Sequence, residues 1–232
     1  MKLKDFMRKI VNKVLRKIEG EFNEAQKYSK HSWSQQGEDV LIDFYFKWEL
    51  QKPNPSYLDI GANHPFYLNN TYLFYENGAN GVTVEPNTIL FDKLTKTRRN
   101  DIHLNCGIGR ESGEFDFYSM QPNTLSTFSE EEANKMLISG YATLLEKKKI
   151  KIQNINTILD KYFLNNENYF ISIDVEGLDH EILSEIDFKR HRPSLLCVEL
   201  PISVRKDFEK YLSGYNYEHY ASNSTNVIYI KK

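Results

Sequence analysis

Two groups of acidic residues, each at the end of an apolar run, are the side chains of this sequence best suited to chemistry. The first is Asp174-Val-Glu176-Gly-Leu-Asp179-His180, which follows the apolar Tyr169-Phe-Ile-Ser-Ile173. A carboxylate that closes a buried strand is costly unless something partners it, so Asp174 and Glu176 are candidate catalytic groups. His180 falls in the first turn of the next helix and could serve as general base near neutral pH. The alternative for His180 is a solvated helix residue. Glu199, within the apolar Leu195-Leu-Cys-Val-Glu199-Leu200, could complete the site. Asp174, Glu176 and Glu199 could instead hold a divalent ion that acidifies a hydroxyl. The metal-free version is preferred, because strand-end carboxylates have other uses.

The second group suggests a cofactor. Tyr57-Leu-Asp59-Ile runs into Gly61-Ala-Asn63, and Gly81-Val-Thr-Val ends on Glu85-Pro86-Asn87. Gly61 permits a tight turn and a close approach of backbone to ligand. Glu85 is placed to accept hydrogen bonds from two ribose hydroxyls. A nicotinamide dinucleotide is disfavoured: of its glycine fingerprint only the first glycine survives in Gly61-Ala-Asn-His-Pro-Phe66, and Pro65 obstructs the helix start. A nucleoside cofactor without pyrophosphate, holding an amino-acid tail near Asp59, fits better.

These residues need a scaffold that brings strand ends together. Tyr57–Ile60, Gly81–Glu85, Ile102–Cys106, Tyr169–Asp174 and Leu195–Leu200 read as strands, with helices predicted between them at Asn70–Asn77 and Thr88–Arg98, and from about Asp179 and Val204. Phe115–Tyr118 and Ile150–Ile152 add short alternating strands. Ser119 to Lys149 reads as an irregular polar stretch with a helix from Glu130; its Pro122–Phe128 segment, rich in hydroxyls and amides, suits an acceptor pocket. Tyr217–Ala221 and Val227–Ile230 form a closing hairpin. The alternation implies an α/β fold with a mostly parallel sheet, helices on both faces and a C-terminal antiparallel hairpin. Ligands bind such sheets outside the carboxyl ends of the strands, where both acidic groups lie.

The 232 residues suffice for one domain, residues 31–232, preceded by an appendage at 1–30. A net charge of −2 gives no field directed at nucleic acid. No apolar run is long enough to span a membrane. The two cysteines, Cys106 and Cys197, lie in apolar runs and read as buried, reduced thiols of a cytoplasmic protein. Residues 1–20 carry seven Lys or Arg against Asp5 and Glu19, with Leu3, Phe6, Ile10, Val14 and Ile18 at helical spacing. This basic amphipathic helix is expected to pack on the domain or on a second subunit, giving a homodimer; peripheral membrane contact is the alternative.

In combination, Ser34-Gln-Gln36-Gly-Glu-Asp39, Tyr57-Leu-Asp-Ile-Gly-Ala-Asn63, Asn70-Thr-Tyr72, Gly81-Val-Thr-Val-Glu-Pro-Asn87 and Ile173-Asp-Val-Glu-Gly177 resemble the FkbM-type methyltransferases, in the branch found with bacterial surface polysaccharide genes. The resemblance covers roughly residues 33–230. It implies a Rossmann-like class I methyltransferase fold, S-adenosylmethionine as cofactor, and O-methylation of a sugar hydroxyl, with a nucleotide sugar as acceptor in capsule biosynthesis. A phosphoramidate or other small polar acceptor, or a non-catalytic nucleoside-binding module, is the alternative. By position, Asp59, Gly61 and Asn63 would surround the methionine part and Glu85 the ribose, with Pro86 and Asn87 beside it. Gly107 and Ile108 would lie near the adenine. Gln36 and Asp39 would close over the cofactor, or else cap a helix. His64-Pro65 departs from the Asp-Gly that many members carry there, implying a different loop. The family's strand order, 3-2-1-4-5, would put the two cysteines roughly 19 Å apart, which excludes a disulfide between them.

Overall fold

The computed structural model describes Val11, Val14, residues 29–175 and residues 177–232. The chain divides into two compact units, Met1–His31 and Ser32–Lys232. The expected N-terminal helix, Val11 and Val14 excepted, and Glu176 lie outside the described residues.

In the second unit, five parallel strands form the centre: β1 (Ser56–Ile60), β2 (Gly81–Val84), β3 (Ile102–Leu104), β7 (Tyr169–Ile173) and β8 (Leu195–Glu199). A hairpin of β9 (Tyr217–Ser222) and β10 (Asn226–Lys231) adds two antiparallel strands beside β8. The order across this seven-stranded sheet is β3-β2-β1-β7-β8-β10-β9. It reverses between β1 and β7, the kind of switch point that opens a crevice at the strand ends.

Strand alternation sorts the core onto two faces. Leu58, Ile60, Ile171, Ile173, Leu196 and Val198 pack with helices α5 (Ile155–Tyr162), α6 (Asp179–Glu185) and α7 (Ile202–Ser213). Tyr57, Phe170, Leu195 and Cys197 pack on the other face with α1 (Glu38–Phe44), its π-helical extension Tyr45–Glu49, and α2 (Tyr72–Glu76). Helix α3 (Thr88–Thr97) follows β2, its first N–H groups capped by the Asn87 side chain. Both cysteines are buried and free.

A second sheet contains the two short strands expected at 115–118 and 150–152 and extends them into the stretch expected to be irregular. β4 (Gly107–Gly109), β5 (Gly113–Gln121) and β6 (Thr143–Asn154) form it in the order β4-β6-β5. Between β5 and β6 lies α4 (Glu130–Ser139), capped by the Ser129 hydroxyl and stopped by Gly140 at φ 73°. The first half of β6, Thr143-Leu-Leu-Glu-Lys-Lys-Lys149, is largely exposed. With no face to bury it shows no apolar alternation, so its strand character is invisible in the sequence.

Candidate functional site

The site begins with close packing between the two central strands. Gly61 has φ 80°, and a Cβ there would lie 1.8 Å from the carbonyl oxygen of Asp174. Asp174 N–H donates to Ile60 C=O at 3.0 Å, and Gly61 N–H donates to Val84 C=O at 3.0 Å. Only glycine fits between β1, β2 and β7 at this point. Gly61→Ala combines left-handed backbone strain with overpacking, and should destabilise the fold by about 2–5 kcal/mol. Urea denaturation measures this; an unchanged midpoint would mean the strand ends are looser than described.

Around this turn lies a cleft of about 260 Å³. Of the residues expected to hold a cofactor, Gly61, Asn63, Glu85, Pro86, Gly107 and Ile108 line it. Glu85 is 5% exposed, and its carboxylate accepts from Asn63 N–H and Asn87 N–H, both at 2.7 Å. Burial raises its pKa to about 7 against these two hydrogen bonds. Gly107 leaves room for Phe128, whose ring a Cβ would approach to 2.5 Å. The 123–128 segment, including a 3-10 turn at Asn123–Leu125, forms the opposite wall.

Gln36, Asp39, Asp59 and Asn87 are not among the lining residues. Asn87 caps α3. Gln36 bonds Ser224, its amide donating to the hydroxyl at 2.7 Å, and its neighbour Gln35 lines the cleft instead. Asp39 accepts from the hydroxyls of Ser32 and Ser34 and from Trp33 N–H, so it orders the entry to α1. The cap position of that helix is held by Gly37 in the left-handed region. Glu38 accepts from Asn223 and Asn226. Burial works to raise its pKa, but these bonds and those from the backbone outweigh it and the pKa is lowered.

Asp59 finds its partner inside the protein. Its carboxylate accepts from the Thr71 hydroxyl at 2.6 Å and Asn69 Nδ2 at 3.1 Å, and lies 3.7 Å from Arg98 Nη1. Burial raises its pKa while Arg98 opposes the shift. Arg98 is itself wholly buried, donates from Nε to Asp101 at 2.7 Å and stacks over Tyr57 and Tyr75. Sequence reading missed Arg98, since nothing in Thr97-Arg-Arg-Asn100 distinguishes a buried arginine. It also missed Gln35 and Asn226 in the cleft wall.

A second cavity of about 380 Å³ adjoins the cleft and shares Leu125 and Thr127 with it. Glu132, Gly177, Asp179, His180 and Glu199 line it, while Asp174 lines the cleft. Asp174, Asp179 and Glu199 each bring a carboxylate oxygen within 4.8 Å of the others. Asp179 spends both oxygens on the turn, accepting from Val175 N–H at 2.8 Å and Gly177 N–H at 3.1 Å. Glu199 is hydrogen-bonded to Asp174; burial, then the charge of Asp179, raises its pKa while that bond opposes them. A divalent cation could be held by these oxygens, among which Asp179 was not expected; Glu176 lies outside the described residues. All three carboxylates are already engaged within the protein, Asp179 by the turn and Asp174 and Glu199 by each other. His180 is exposed, its ring 6.4 Å from that of Phe208.

Residues 59–220 match the family described as Methyltransferase FkbM domain. No curated protein matches the chain in sequence. Among solved structures, the chain is similar to a Pyrococcus horikoshii protein described as an RNA methyltransferase, at 10% identity, with 88% of this chain and 91% of that one covered and a TM-score of 0.43. It is similar also to a TehB-like SAM-dependent methyltransferase from Corynebacterium glutamicum, at 11% identity, 94% and 97% coverage and a TM-score of 0.41. A third is the magnesium protoporphyrin IX methyltransferase of Synechocystis PCC 6803, with SAH bound, at 8% identity, 92% and 95% coverage and a TM-score of 0.41. The family match spans most of the chain and contains both strand-end acidic groups: this protein belongs to the FkbM methyltransferase family and is an S-adenosylmethionine-dependent methyltransferase.

Proposed function

We propose that the protein methylates a sugar hydroxyl in the biosynthesis of a surface polysaccharide. The observation that carries this reading is the junction of the two cavities: Asp174 lines the cofactor cleft and is hydrogen-bonded to Glu199, which lines the adjoining one. A weakly acidic hydroxyl entering there meets a carboxylate beside the cofactor, as removal of its proton requires. Bound in the cleft, S-adenosylmethionine supplies a methyl group on a sulfonium. Glu85 would accept hydrogen bonds from the ribose hydroxyls, and the turn at Gly61 and Asn63 would border the amino-acid tail. As the new carbon–oxygen bond formed and the carbon–sulfur bond broke, releasing S-adenosylhomocysteine, the proton of the attacking oxygen would pass to the Asp174–Glu199 pair, two carboxyls that share one proton through their hydrogen bond and can take up a second. The hydroxyls and amides of 123–127 orient the sugar. A nucleotide-linked sugar is the form of acceptor that the family resemblance suggests. The cluster at 4.8 Å also supports a second reading, in which a divalent ion activates the hydroxyl; a chelator then abolishes turnover.

The test is methyl transfer to a panel of glycosides, read by mass spectrometry. A gain of one methyl on a sugar oxygen supports the reading; transfer only to nitrogen acceptors overturns it. Glu85 supplies an independent check. Glu85→Ala should weaken S-adenosylhomocysteine by about 1–3 kcal/mol in calorimetry. The ionised carboxylate is the better ribose acceptor and its pKa is about 7. Affinity should therefore fall as pH drops from 8 to 6, with protons released on binding across that range. A flat profile would separate Glu85 from the ribose. Among the described residues no helix is long and apolar enough to cross a membrane.

A further inference from the structure

The charge of the two cavities restricts what can be methylated. Their lining includes Glu85, Glu132, Asp174, Asp179 and Glu199, and among the described residues no Lys or Arg. His180 is the lining side chain that could carry positive charge. Arg110 and Lys149 line a third cavity that shares Ile108, Phe128, Leu178 and Ile182 with the cleft, each beside a carboxylate of its own, Glu185 at 3.6 Å and Asp116 at 2.8 Å. Arg205 and Lys135 also stand near without entering the lining. Arg205 donates to the carbonyls of Leu200, Asn223, Ser224 and Thr225, which engages four of its five N–H donors at the cavity rim. Lys135 is shared between Glu131 and Glu132 at 2.9 and 2.7 Å.

Phosphate groups are held by Arg or Lys, by clustered backbone N–H groups, or by helix starts. Here the chain's own carboxylate fills the N–H cluster: Asp179 takes the N–H groups of Val175 and Gly177. Helix α7 also starts at the rim, after Pro201, with Glu199 three residues ahead of Ile202 in sequence, so an anion at that start would meet a carboxylate lining the same cavity.

We infer that the sugar enters the cavity without a phosphate and as a neutral or, preferably, amine-bearing residue, its ammonium group facing the carboxylates. This rests on the proposed reading of the cavity as the acceptor site. At roughly 8 Å and an effective dielectric near 20, one unit of charge changes affinity about thirtyfold.

Enzyme saturated with S-adenosylhomocysteine is titrated with the methyl glycosides of glucosamine, glucose and glucose 6-phosphate, followed by ligand-observed NMR. The aminoglycoside should bind at least about tenfold more tightly than the phosphate, with the neutral glycoside between them. High salt should narrow the gap. In Glu132→Lys, on the exposed side of the cavity wall, the phosphate should gain on the aminoglycoside. Equal or tighter binding of the phosphate, binding by none of the three, or an unchanged order in Glu132→Lys overturns the inference. Methyl transfer is assayed separately: the expected order of binding with no methylated product leaves this inference standing and removes the reading as a sugar methyltransferase.

Discussion

Asp174→Asn is expected to lower the rate of methyl transfer by about 10²–10⁴-fold, the usual contribution of a positioned proton acceptor. Affinity for S-adenosylhomocysteine should stay within about threefold, because the swap keeps the shape of a side chain whose backbone is fixed by Ile60. Asn cannot take the proton and cannot replace a carboxylate on a metal, so both mechanistic readings predict the loss. Glu199→Gln should also be slow, and the double variant little slower than the worse single one, since hydrogen-bonded partners act as a unit. His180→Ala should be the mildest of the set, because His180 is exposed and not in the cofactor cleft. Initial rates and calorimetry on the same preparations separate these effects. A normal rate in Asp174→Asn would move the chemistry to Ser126 and Thr127 on the opposite wall.

The largest stability effect should come from Arg98, far from the chemistry. Arg98→Met leaves Asp59 and Asp101 buried without their counter-charge and leaves Thr71 and Asn69 short of a donor. Breaking a buried pair from one side typically costs about 3–5 kcal/mol. Chemical denaturation should show that loss, and adding Asp59→Asn to Arg98→Met should recover part of it by removing one orphaned charge. If Asp59→Asn alone instead leaves stability untouched and abolishes cofactor binding, its carboxylate serves the ligand and not the guanidinium.

The sequence shows the sheet clearly where burial is two-sided. Tyr169–Ile173, but for Ser172, and Leu195–Val198 are apolar because helices cover both faces. The same contrast exposes Asp174, Glu85 and Glu199 as acids out of place. The second sheet was legible only in part: Phe115–Tyr118 and Ile150–Ile152 show their alternation, while the first half of β6 has little to bury and Lys147, Lys148 and Lys149 read as a solvated run. Asp59 illustrates a different limit. That it needed a partner follows from its position in β1. Which partner could not be read, because Arg98 arrives from the end of α3 and is locally indistinguishable from Arg99, which is exposed. Gln35 and Gln36 differ likewise by one step of an irregular segment, where no periodicity says which amide faces the cleft.

The adjacency of β1 and β7 gives the molecule a fixed ruler. Neighbouring strands lie about 4.8 Å apart, and the carbonyl of Asp174 sits where a side chain on residue 61 would be. In the proposed reading, the cofactor's seat beside Gly61 and the proton-accepting carboxyl of Asp174 are thus one rung of a hydrogen-bonded ladder apart. The opposite wall, residues 123–128, belongs to the small sheet and its connections. Changes there can alter which acceptor is admitted, while the length of the methyl group's path stays written in the backbone of the large sheet.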